Sequence, residues 1–202
     1  MDFDNLPWPD KNDDLLELGD DWTNNACLNY SSDELSIYSE GYKRAGNMLS
    51  DKLQKNRNGI DFLIYPLIFL YRHHIELELK IIIKEGSYLL EDEKVMRNHH
   101  KLHNLWDDAK KIIEEIWPDS PKDDLKAVEK TVLQLNDLDP GSYAFRYDRD
   151  KQGNKPNPDL NNIDIKKFSE VIKNVSAFFD GVSTAISVYI DHKKEMKRHY
   201  SP

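Results

Sequence analysis

A chain of 202 residues, 39% hydrophobic and 32% charged, is long enough for one cored domain with appendages, or at most two small domains. The formal charge of −9 argues against a bulk nucleic-acid coat while leaving room for a local basic site. The single Cys27 excludes an intramolecular disulfide framework and fits a reducing cytoplasm.

The N-terminus is acidic where a signal peptide would be basic and then apolar. Residues 1–21 carry Asp2, Asp4, Asp10, Asp13, Asp14, Glu17, Asp20 and Asp21 against Lys11 alone. With Pro7, Trp8, Pro9 and Trp22 and no periodicity, residues 1–30 read as an extended acidic arm whose two indoles dock it on the rest. Residues 31–34, Ser-Ser-Asp-Glu, have the spacing of a capping box. A helix follows to about Asn56, with Leu35, Tyr38, Tyr42, Ala45, Leu49 and Leu53 at steps of three and four, and the turn 56–59 ends it. A central helix runs from near Asp61 to a stop at Glu85 and Gly86, with Pro66 in its opening turns or at a kink. Its apolar run at 62–71 is cut by Pro66 and closed by Arg72, short of membrane-spanning length.

Residues 87–98 form a polar connection. From about His99 to Trp117, Leu102, Leu105, Ala109, Ile112 and Ile116 mark a third helix that Pro118 stops. Ser120 then caps a fourth, with Pro121 at its first position and Leu125, Val128, Val132 and Leu135 on its apolar face. The connection 139–162 is long for a compact domain. Its alternating Tyr143, Phe145 and Tyr147 predict a short strand or hairpin folded onto the helices, followed by a turn at Gly153 and Asn154. The last helix, from about Asp164 to Lys194, shows a stripe of Phe168, Val171, Val175, Phe178, Val182, Ala185 and Tyr189. Gly181 inside it predicts a close helix crossing. The basic end, with Lys193, Lys194, Lys197 and Arg198, either pairs with the acidic arm or is solvated. The pattern is that of an all-α, up-and-down bundle of about five helices over 31–195, with 196–202 as a basic tail.

Walker A, GxGxxG, CxxC, HExxH and GxSxG signatures are absent, which leaves nucleotide-fold and cysteine chemistry without support. The remaining candidates are basic and histidine-rich: Arg72, His73 and His74; Arg97, His99, His100 and His103; and Arg146 with Tyr147. Imidazole exchanges a proton near pH 7 and a fixed guanidinium steadies a charged phosphorane, the minimum for cleaving RNA without a metal. Each has a plainer reading beside it. Arg72, Glu76 and Lys80 lie four apart and can satisfy one another. His73 and His74 point about a hundred degrees apart, and either can be a hydrogen-bonded core histidine. His99, His100 and His103 have metal-compatible spacing or simply start a helix. Arg146 either stacks on its flanking aromatics or binds phosphate. Burial of unpaired charge is costly, so Arg72, His73 and Glu76 are expected in a solvent-reachable cleft, with Arg146 reaching it beside His103.

The pattern RHHIELELK, then HKLHNLW, then a long final helix resembles the HEPN domain superfamily of small helical bundles. His73, His74, Ile75, Glu76, Leu77 and Lys80 match its histidine–apolar–Glu–apolar–Lys helix. His100, Leu102 and Leu105 approximate the start of its next helix. Arg97 and His103, with five residues between them, match the Arg-to-His spacing of its active ribonucleases. The resemblance implies a metal-independent endoribonuclease of toxin or phage-defence type. Arg72, His73, Glu76, Arg97 and His103 would be catalytic, and His74, Lys80, His100, Arg146 and Tyr147 would bind phosphate or RNA, with no cofactor or metal. It further implies a homodimer, a cytoplasmic location and an antitoxin or regulatory protein as partner. The alternative is a non-catalytic helical module that binds a protein or nucleotide.

Overall fold

The computed structural model describes residues 8–31, 33–92 and 100–200. They form two compact units, divided after residue 32. The described residues of the N-terminal segment include a 3-10 turn, Trp22–Asn24, whose N-cap Asp21 accepts the Thr23 N–H. The two indoles expected to dock this segment are exposed, Trp8 by 68% and Trp22 by 66%.

The second unit is an all-α bundle of α1 (Glu34–Lys55), α2 (Ile60–Leu90), α3 (Leu102–Ile116), α4 (Lys122–Leu138) and α5 (Ile165–Tyr200). The most apolar helix, α2, packs against α1, α3 and α5, while α4 lies on α3 and touches α5. A helix apolar nearly all round can satisfy its surface only when neighbours cover several sides. Leu67, Ile68, Tyr71, Ile75, Leu79 and Ile82 of α2 are accordingly sealed in the core, with Leu105, Trp106 and Phe179 among their buried companions.

Several local expectations need correction. The N-cap of α1 is Asp33, not Ser31, and its buried face is Ser39, Gly46, Ser50 and Leu53, while Tyr38 and Ala45 are exposed. Small side chains let α1 lie close to α2: a Cβ on Gly46 would come 2.8 Å from Tyr71. Gly59, with φ 81°, makes the tight left-handed entry to α2. Gly86 does not stop α2, which runs on to Leu90. It is the point where α3 crosses, since a Cβ there would collide with Ile112. The expected crossing at Gly181 is absent, because nothing approaches a Cβ built there.

Pro121 occupies the N-cap of α4 instead of its first turn, with no side-chain cap from Ser120. On α5 the buried stripe is Ile165, Ile172, Val175, Phe179, Val182, Ile186 and Ile190. It shares only Val175 and Val182 with the expected one, and Val171 and Tyr189 are exposed. Two stripes at steps of three and four run side by side on this helix, and the one carrying Ser169 and Ser176 faces inward. Helix α5 continues through Tyr200. Its basic end meets the end of α2, with Lys193 Nζ 2.9 Å and Lys197 Nζ 3.3 Å from the Glu91 carboxylate.

Residues 143–147 form a helical turn, not a strand: the Arg146 and Tyr147 N–H groups both donate to the Tyr143 carbonyl, at 3.0 and 3.1 Å. The buried anchor is Ala144, while Tyr143 and Phe145 are half-buried and Tyr147 is exposed. The turn at Gly153 and Asn154 forms as expected around the Asp150 carboxylate.

Candidate functional site

One face of α2 carries Arg72, Glu76 and Lys80, brought into line by their four-residue spacing. Arg72 is wholly buried and uses every nitrogen. Nε donates to the Asp139 carbonyl at 3.1 Å, one terminal nitrogen to Glu76 at 2.7 Å and the other to the His100 carbonyl at 2.7 Å. The Asp139 carboxylate has one oxygen on the Tyr143 and Ala144 N–H groups. Its other oxygen stands 3.5 Å from Arg72 Nε, in ionic contact. Arg72 thus joins α2 to the end of α4 and to the segment entering α3.

Glu76 is sealed as well, and its carboxylate takes three donors: Arg72, Lys80 Nζ at 2.8 Å and His100 Nδ1 at 2.7 Å. Burial pushes this carboxyl up. The hydrogen bonds from Lys80, His100 and Arg72 outweigh it and hold the group at about 2. Arg72 and Glu76 therefore do not line the expected cleft, because their charges are satisfied internally. The surface of this cluster belongs to His100, whose side chain is 63% exposed. With Nδ1 on Glu76, the Nε2 of His100 has no partner among the described residues.

His73 stands on the flank of the same helix, half-buried. Its ring lies parallel to Phe69, four residues earlier, at a 5.8 Å centroid separation, and the edge of Tyr42 meets it at 4.4 Å. Burial lowers its pKa, Glu76 raises it, and the charges of Arg72, Lys80 and His100 lower it further. Its ring nitrogens make no hydrogen bond among the described residues. Phe69 also carries the Arg146 guanidinium, 5.3 Å from its centroid, and the Tyr147 ring lies 5.6 Å from the same group. Arg146 is therefore linked to His73 through one shared ring.

The structure thus gathers Arg72, His73, Glu76, Lys80 and His100, with Arg146 and Tyr147 beside them. Two candidates lie apart. His103 is held by Asn136 Oδ1, 3.2 Å from its Nδ1 and 3.4 Å from its backbone nitrogen. His74 faces the opposite side of α2 and is fully buried, as its angular offset from His73 requires. Its Nδ1 is 2.8 Å from Ser39 Oγ and its Nε2 2.9 Å from Ser176 Oγ. Ser39 also donates to Glu78 at 2.6 Å. Burial, the largest influence on both groups, lowers His74 to about 4 and pushes Glu78 up. This sealed joint between α1, α2 and α5 leaves no path for RNA, so His74 is not a phosphate contact. Arg97 and His99 lie outside the described residues.

Sequence reasoning missed Asp139, Asn136, Ser39, Glu78 and Ser176. Only Glu78 had a local signal, at four residues from His74; the others meet their partners across long stretches of chain. Comparison with family models, with curated proteins and with solved structures finds no match to this chain.

Proposed function

We propose that the protein is a metal-independent endoribonuclease of toxin or phage-defence type, with His100 and His73 as its proton-transfer groups. The observation that carries this reading is the Glu76–His100 pair. A buried, ionised carboxylate fixes one ring nitrogen of an exposed histidine and leaves the other free, which orients the ring for proton transfer. His73, kept neutral by burial, is suited to act as base. It takes the proton of a ribose 2′-hydroxyl as the 2′-oxygen bonds to phosphorus. His100 gives its Nε2 proton to the departing 5′-oxygen as the phosphorus–oxygen bond breaks. The products are a 2′,3′-cyclic phosphate and a 5′-hydroxyl. Lys80, 12% exposed beside Glu76, supplies positive charge. The resemblance of RHHIELELK to HEPN helices supports the same reading, with His100 in place of His103.

The second reading, a non-catalytic binding module, is favoured by Arg72, whose guanidinium is fully engaged inside the protein and free for no phosphate. Incubating the purified protein with total RNA in EDTA separates the two. Cleavage yielding cyclic-phosphate ends is expected, with His100→Ala and His73→Ala each slower by about 10²–10⁴-fold at unchanged helicity. RNA left intact at micromolar protein would leave only the binding module.

A further inference from the structure

Beside the start of α2 lies a cavity of about 740 Å3, lined also by residues 144–148, 155–157, 160–163 and Ile165. Its size is that of a small-molecule site. The floor is apolar, with Ala144 and Ile165 buried and Ile64 and Ile163 half-buried. The open side includes the exposed residues Tyr65, Arg146, Tyr147 and Lys155, together with the carboxylates of Asp61 and Asp148. Phe145 also lines it, with its ring 6.2 Å from that of Tyr65.

Arg146 is the group that gives this cavity a chemistry. The neighbouring Asp148 has its ionic contact with Arg149, 3.9 Å away, and no carboxylate or carbonyl among the described residues accepts from the Arg146 guanidinium. The rings of Phe69 and Tyr147 hold it through contacts that use its face and leave its N–H donors unspent. The backbone beneath it is fixed by two bonds to the Tyr143 carbonyl and by Asp139, which anchors the turn to Arg72. A guanidinium fork held in place with free donors selects a planar or tetrahedral oxyanion, and Lys155 adds a second positive charge on the same rim.

We propose that this cavity binds a small aromatic oxyanion, its ring against the apolar floor and the Tyr65, Phe145 and Tyr147 rings, its carboxylate or phosphate on Arg146. The site uses neither His100 nor Glu76, so it stands whether or not the protein cleaves RNA. Titration calorimetry with phenyl phosphate and, separately, phenylacetate tests it and tells the two oxyanions apart. At least one should bind, with inorganic phosphate and benzyl alcohol each at least tenfold weaker, because each lacks half of the recognised chemistry. Arg146→Ala should weaken binding at least tenfold with its melting temperature within a few degrees of the parent. Lys151→Ala, a cation of the same connection outside the cavity, and His100→Ala should bind as the parent does. Failure of both aromatic anions to bind at millimolar concentration would overturn the proposal. Equal binding by Arg146→Ala, or by inorganic phosphate alone, would do the same.

Discussion

Arg72 and Glu76 show how depth changes the meaning of a side chain that sequence spacing already pairs. The i,i+4 ladder was legible, since Arg72, Glu76 and Lys80 share one helical face. Its burial was not, because that depends on Asp139 and His100, which approach from 67 and 28 residues away. Removing one member leaves the other buried without its shortest partner, Glu76 keeping only Lys80 and His100 and Arg72 only the longer Asp139 contact. Glu76→Leu or Arg72→Met alone should therefore cost about 3–5 kcal/mol, whereas the double change should recover most of that loss, since apolar replacement of a whole buried pair is often neutral. Urea unfolding of the three variants measures this. Equal destabilisation of single and double variants would contradict it.

At the scale of the element, the five helices could be read because each carries an apolar period, and caps and prolines mark most ends to within a few residues. Facing was harder. Helix α5 offers two adjacent stripes, and its contacts with His74 and Ser50 select the one bearing serines. The aromatic alternation at 143–147 suggested a strand, but an Asp139 carboxylate accepting two consecutive N–H groups wound it into a turn. The glycines make the test. Gly181 sits in open space within α5, so Gly181→Ala should stabilise by up to about 1 kcal/mol through helix propensity. Gly86→Ala, pressed against Ile112, should destabilise by roughly 1–3 kcal/mol through overpacking. Melting temperatures moving in the same direction would refute the assigned crossing.

For the whole molecule, the two charged clusters on α2 govern how stability depends on pH. His74 has a folded value of about 4 against 6.5 unfolded. The unfolded chain binds the extra proton, so this stabilisation is full above pH 6.5 and disappears as pH falls toward 4, by roughly 3 kcal/mol. Glu78, pushed up by burial, works in the opposite sense and reduces the net slope. Glu76, at about 2 against 4.5, contributes stability that is present above pH 4.5 and lost as pH falls toward 2. Urea titrations at stepped pH should show both windows, and His74→Gln should lose the upper slope while keeping the lower. An unchanged upper slope would remove His74 as its source.

The hydrogen bonds on opposite sides of α2 have a mechanical consequence. Aliphatic contacts tolerate small rotations of a helix about its axis, because one methyl group substitutes for another. Directional bonds do not: turning α2 to ease the Arg72 side would pull His74 off Ser39 and Ser176. The helix is thus keyed like a shaft with a slot on each side, and no functional motion can use its rotation. Any opening of the site must come from the parts that hang on it, the entry to α3 at His100 and the turn that carries Arg146.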